Sequence, residues 1–150
     1  MEKHEFKILI NASPEKIWDI LWGENSYPMW TSVFAEGSKA ETDWREGSKV
    51  LFLDGKGQGM ISFIEEKRAN EYMSFKHVGT VKDGKEDMDS KETREWAGAK
   101  ENYTLKPING KTELIVDMDI AEEYKDYFLK TWPKALEKLK ELAEEISISF

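Results

Sequence analysis

A chain of 150 residues with 39% hydrophobic and 35% charged content is the size of one domain, able to bury about 70% of its unfolded surface around a single core. A net charge of −8, with the three arginines Arg45, Arg68 and Arg94 scattered, argues against a nucleic-acid partner, because phosphate binding needs a basic surface. Without cysteine there is no disulfide and no thiol chemistry; with no long apolar run and no signal-peptide pattern in MEKHEFKILI, no membrane insertion and a cytoplasmic location are expected.

Phe6, Ile8 and Ile10 share one parity, which predicts a first strand over 6–10. Ser13 followed by Pro14 is a helix-start signal. Ile17, Ile20 and Leu21 supply that helix's buried stripe, Trp18 and Trp22 flank it, and Gly23 is its expected stop. A second short helix is expected from about Pro28 to Phe34, with Met29, Trp30 and Val33 on its apolar side. The pattern then changes to strands.

Val50 to Leu53 reads as a strand with Asp54-Gly55 as its hairpin turn. Gln58 to Glu65 is the next strand, but its apolar residues occupy both parities, so its inner face stays open. Glu71 to Gly79 alternates, with Met73, Phe75 and His77 on one face and Ser74 and Lys76 on the other. Thr80 to Ala99 is polar and is expected as a long loop. Asn102 to Lys106 is a strand, Asn109-Gly110 a hairpin turn, and Thr112 to Ile120 puts Leu114, Val116, Met118 and Ile120 on one face. Such one-sided alternation belongs to antiparallel strands with one wet side.

The chain from Glu122 to Ile146 reads as a terminal amphipathic helix. Phe128, Trp132, Leu136, Leu139, Ala143 and Ile146 recur at three- and four-residue steps. Pro133 lies inside it, so either the helix kinks there or Thr131 caps a shorter second segment. Its aromatic end, Tyr124, Tyr127, Phe128 and Trp132, needs a broad apolar cover. Helices segregated from a run of consecutive strands predict a single α+β domain over 1–150. The economical packing wraps the inner face of the sheet around the terminal helix.

The stretches SPEKIWDILW, PMW, ENYTLKPINGKTELIV and WPKALEKLKELAEE, in this order, resemble the START/birch-pollen-allergen (SRPBCC) superfamily. Within it they are similar to the branch named after the activator of the heat-shock protein 90 ATPase. The resemblance covers nearly the whole chain. It implies a helix-grip fold, a curved antiparallel sheet gripping the C-terminal helix and often enclosing an apolar cavity. Members of the superfamily bind lipids, steroids or other hydrophobic molecules; some are enzymes and some are co-chaperones.

Chemical motifs are scarce. His4 and His77 are the only histidines, and neither has a zinc-ligand spacing around it, so no metal and no cofactor are expected. His77 is a histidine bonded to a neighbour in the core or rim, a polar handle in a ligand pocket, or, as the remaining reading, a metal ligand. Gly55-Lys56-Gly57-Gln58-Gly59 lacks the following helix that a phosphate loop requires. The acidic run Asp83, Glu86, Asp87, Asp89 and Glu92 breaks calcium-loop register at Lys91 and Glu92. What remains is aromatic. Trp22, Met29, Trp30, Phe34, Phe52, Met73, Phe75, Tyr103, Phe128 and Trp132, with His77, either fill the space between sheet and terminal helix or wall a cavity there.

Three functions compete. The first is non-catalytic binding of a small hydrophobic molecule, lipid-like or aromatic, oriented by His77 or Tyr103, with the 80–99 loop closing the mouth. The second, implied by the resemblance, is a cyclase- or aromatase-like enzyme using the same cavity, with His77 moving a proton. The third is a protein-interaction module for heat-shock protein 90. Activators of that ATPase carry an additional N-terminal domain with an Asn- and Trp-rich motif, whereas this chain begins directly at the grip fold, which speaks against ATPase stimulation.

Overall fold

The structure, a computed structural model, describes residues 1–145. The expected stripe residue Ile146 lies outside them. Eight strands and four helices follow in the order β1 (Glu2–Ile10), α1 (Pro14–Trp22), α2 (Tyr27–Thr31), β2 (Lys39–Glu41), β3 (Lys49–Leu53), β4 (Gly59–Arg68), β5 (Tyr72–Lys82), β6 (Lys85–Asp87), α3 (Lys91–Trp96), β7 (Lys100–Ile108), β8 (Lys111–Ile120) and α4 (Lys125–Glu145). A 3-10 turn, Glu122–Tyr124, leads into α4. All strands pair antiparallel in one sheet ordered β1-β8-β7-β5-β4-β3-β2, with β6 on the far part of β5. This is the α+β helix-grip architecture: a curved sheet around a long C-terminal helix.

Local chemistry accounts for most boundaries. The Ser13 side chain accepts from the Lys16 N–H at 3.2 Å, Pro14 occupies the first turn, and Gly23 caps α1. Gly23 keeps an ordinary φ of −68°, so no left-handed cap selects it. A Cβ there would sit 2.6 Å from the Asp19 carbonyl and 2.5 Å from Ser26 Oγ. Lack of room selects glycine. Asn109 and Gly110 take φ of 48° and 82°, the signs of a type I′ turn, and hold β7 and β8 in a tight hairpin.

Several expectations need correction. The second helix runs over Tyr27–Thr31 rather than Pro28–Phe34, and of the three residues expected on its apolar side only Trp30 is buried, Met29 and Val33 being exposed. Asp54-Gly55 is not a two-residue turn. Asp54 Oδ1 gathers the N–H groups of Lys56 and Gln58, and the positive φ falls on Gly57, giving a five-residue loop between Leu53 and Gly59. The expected loop over 80–99 contains the end of β5, an Asp83-Gly84 hairpin, β6 and α3. Ser90 caps α3 by accepting from the Thr93 N–H. Ser74, on the face opposite Met73 and Phe75, is buried as well and donates to Asn102 Oδ1 at 2.5 Å. The terminal helix is a single helix through Pro133, and Tyr124 and Tyr127 at its aromatic end stay exposed.

Two irregularities shape the sheet. Gly79 faces Ile61 but His77 faces Ser62, leaving Val78 as an extra residue; Ile64 faces Phe75 but Glu66 faces Ser74, leaving Glu65 extra. Such bulges bend a strand and flip its parity. Past Val78, Thr80 therefore takes the inward parity that His77 held. Ile61 lies outside the main core cluster, and a Cβ on Gly79 would meet Ile61 Cδ1 at 3.0 Å and Met88 Cγ at 2.7 Å. Apolar residues on both parities of β4 follow from this: Ile64 faces α4, while Ile61 is covered from the other side by the segment around Met88.

Candidate functional site

The inner face of the sheet and α4 do not close along their whole length. At one end Val50, Ile64, Met73, Leu105, Leu114 and Leu139 are buried together in one cluster with α1 residues Ile17 and Leu21. At the other end, where α2, loops and the first turns of α4 cover the sheet, a cavity of about 480 Å³ remains. That is within the usual range for a small-molecule site. Its lining comes from the late parts of β3, β5 and β8, the early parts of β4 and β7, and the first two turns of α4.

Of the eleven residues singled out from sequence, seven line this cavity: Trp30, Phe34, Phe52, His77, Tyr103, Phe128 and Trp132. Their rings stand in two groups bridged by Tyr27, which meets Trp30 at 5.5 Å and Phe52 at 6.2 Å. Trp132 meets Phe34 at 5.0 Å, Trp30 at 6.1 Å and Tyr103 at 6.1 Å between centroids, while Phe52 meets His77 at 6.2 Å. The other four stand elsewhere. Met73 is fully buried in the packed cluster, and Phe75 is fully buried behind the lining, edge-on to Phe52 and Tyr103. Trp22 is packed between Phe75, Tyr103 and Trp44 and borders a different cleft. Met29 is 48% exposed on the outer side of α2. Correct facing was not enough, because a residue can face inward and be packed rather than bordering space.

A polar chain crosses the cavity wall. Ser62 Oγ lies 2.5 Å from His77 Nδ1, His77 Nε2 lies 3.1 Å from Glu101 Oε1, and the Tyr103 hydroxyl donates to Glu101 Oε2. Facing residues explain its assembly. Ser62 is the cross-strand partner of His77, and Glu101 stands two residues before Tyr103 on the same face of β7. With Nε2–H donating to the carboxylate, Nδ1 accepts from Ser62, which fixes the tautomer and orientation of the ring. Burial, reinforced by the Glu101 carboxylate, pushes the Tyr103 phenol well above its ordinary value and does the same to Tyr27. Both phenols therefore stay protonated and able to donate.

Sequence reasoning missed Tyr27, Thr80, Trp96 and Glu101 among the lining residues. Glu101 carried a readable signal, a charged residue with the parity of Tyr103 and Leu105, hidden because the strand begins at Lys100 rather than Asn102. Thr80 carried none, since its inward aim depends on the bulge at Val78. Two lining groups lack partners among the described residues: Thr80 Oγ1 and Trp132 Nε1. Among the described residues there is no cluster of metal-ligating side chains, and no helix is long and apolar enough to cross a membrane.

Residues 11–144 match the family model described as activator of Hsp90 ATPase homolog 1-like protein. No curated protein matches the chain. Among solved structures, the Aha1 dimer from Colwellia psychrerythraea superposes with a TM-score of 0.74 at 18% identity, covering 96% of this chain and 97% of that one. Protein MLL2253 from Mesorhizobium loti gives 0.74 at 17% identity over 96% and 98%. DynU16, a protein in the dynemicin biosynthetic locus, gives 0.72 at 12% identity over 96% of this chain and 48% of its own. At these identities the structures share the fold with this chain, and the family follows from the sequence match. The chain belongs to the family of activator of Hsp90 ATPase homolog 1-like proteins.

Proposed function

We propose that this protein binds a small hydrophobic molecule in the cavity between sheet and α4 without transforming it. One observation carries the reading: a space of about 480 Å³ walled by aromatic rings and equipped with a few convergent polar groups. Burial of apolar ligand surface there supplies roughly 25 cal/mol per Å², and the Glu101, Tyr103 and Trp132 polar atoms orient the guest. The non-catalytic part rests on His77. Its Nδ1 meets Ser62, which is 0% exposed and does not line the cavity, and its Nε2 meets the Glu101 carboxylate, so the hydroxyl that this histidine could activate is out of a guest's reach.

The test uses the neutral fluorophore N-phenyl-1-naphthylamine together with native mass spectrometry of gently purified protein. Saturable binding of one fluorophore per chain, abolished by Ala35→Trp at the cavity lining, is the expected result. Absence of saturable binding, or binding indifferent to that block, removes the reading.

A further inference from the structure

The cavity has a sign. Asp54, Glu101 and Asp119 are among its lining residues, and no lysine or arginine is. The nearest lysine in sequence, Lys100, directs its ammonium to Glu65 at 3.1 Å, and only its backbone N–H reaches Asp119. Met1 stands at the rim, 60% exposed. Glu101 is held by His77 and Tyr103, its side chain 16% exposed. Its carboxylate has about four lone-pair sites, and His77 and Tyr103 use one each.

The walls suit the same guest. Faces of tryptophan and tyrosine attract a cation through their ring quadrupoles, most strongly where water is excluded. Trp30, Trp132, Tyr27 and Tyr103 supply such rings within one cavity. A separate observation points to a guest of mixed character. Trp132 is only 3% exposed, lines the cavity, and its Nε1–H has no acceptor among the described residues. A buried unpaired donor is costly, and a hydroxyl or ether oxygen on the guest would satisfy it. The Tyr27 and Tyr103 phenols are raised chiefly by burial, and the Glu101 carboxylate adds to the shift because it disfavours a second negative charge beside it.

From this arrangement we infer that the ligand class of the cavity is a hydrophobic amine, held by Glu101 and the surrounding aromatic faces, and that carboxylic acids of equal length are rejected. The inference rests on the small-molecule reading and narrows it. An anionic headgroup would meet the Glu101 carboxylate with no lysine or arginine of the lining to answer it. An ammonium meets a carboxylate and rings.

Dodecylamine, dodecanol and dodecanoic acid, each below its micelle concentration, are titrated against protein loaded with N-phenyl-1-naphthylamine. The amine should displace the probe at a concentration at least tenfold lower than the acid, with the alcohol between. Glu101→Gln should bring amine and acid to within about threefold of each other. If that variant does not fold, the wild-type ratio at low and high salt decides, since a Coulombic preference at an open-mouthed site shrinks with salt. Equal displacement by all three overturns charge selection and leaves the cavity reading standing. So does tighter binding of the acid, or failure of all three against a bound probe. A probe that never binds removes the parent reading instead.

Discussion

The two ends of the gripped helix are built from the same kinds of residue and do opposite things. Toward its C-terminal half, Leu136, Leu139 and Ala143 lie in a solid core with Ile64, Met73 and Leu114. Toward its N-terminal half, Phe128 and Trp132 face a cavity. What differs is the cover: α1, a nine-residue helix with five buried side chains, plugs the first end, while five-residue α2 and loops roof the second. Hydrophobic patterning selects which residues face inward. The element that lies over them decides whether inward means packed or hollow.

The largest test of that contrast is a matched pair of truncations. Leu139→Ala, at a fully buried position, should cost about 2–5 kcal/mol in urea unfolding, because the packed end cannot collapse around the void. Phe128→Ala, on a half-buried ring beside existing space, should cost about 1–2 kcal/mol although more atoms are removed. Probe binding should weaken in the second and hold in the first. Equal stability losses would mean that the cavity end is as tightly packed as the core.

Alkaline pH separates the ends next. The Tyr103 and Tyr27 phenols are raised by burial and by Glu101. A raised folded value means that the folded state holds its proton longer than the unfolded chain does. Their contribution is thus complete below the unfolded value of about 10 and is lost as pH climbs above it, by about 1.4 kcal/mol per pH unit for each group. Unfolding midpoints should fall from about pH 10 upward, and the fall should be shallower in Tyr103→Phe. An unchanged slope in that variant would place the alkaline sensitivity elsewhere.

The smallest effect belongs to Trp132→Phe. It keeps a ring against Phe34 and Phe6 and deletes the unpaired Nε1–H. Removing a buried donor without a partner offsets the lost contact area, so stability should change by less than about 1 kcal/mol. A loss of several kcal/mol would show that the indole fills space rather than bordering it.

Much of this architecture was legible in the chain, and the reasons are specific. The alternation of Leu114, Val116, Met118 and Ile120, the Ser13-Pro14 start and the Asn109-Gly110 turn are local codes, and each corresponds to an observed element. The fold follows from their order. The both-parity pattern of β4 was not decodable, because Ile61 is buried by a segment around Met88 far away in sequence. Thr80 was hidden by the bulge at Val78. The candidate site was half legible for a related reason: Met73 and Phe75 share parity with His77, yet only His77 borders the cavity. Parity reports the side of a sheet; it carries no information about distance along the helix.

Pro133 brings no N–H to α4 and stands one residue past Trp132, at the border between the hollow and solid halves. The hydrogen-bond ladder of the helix thus lacks its rung to the Leu129 carbonyl at that border. Fraying that starts at Lys125 meets a missing rung before it reaches Leu136. One missing rung therefore separates the half of the rod that borders the cavity from the half anchored in the core.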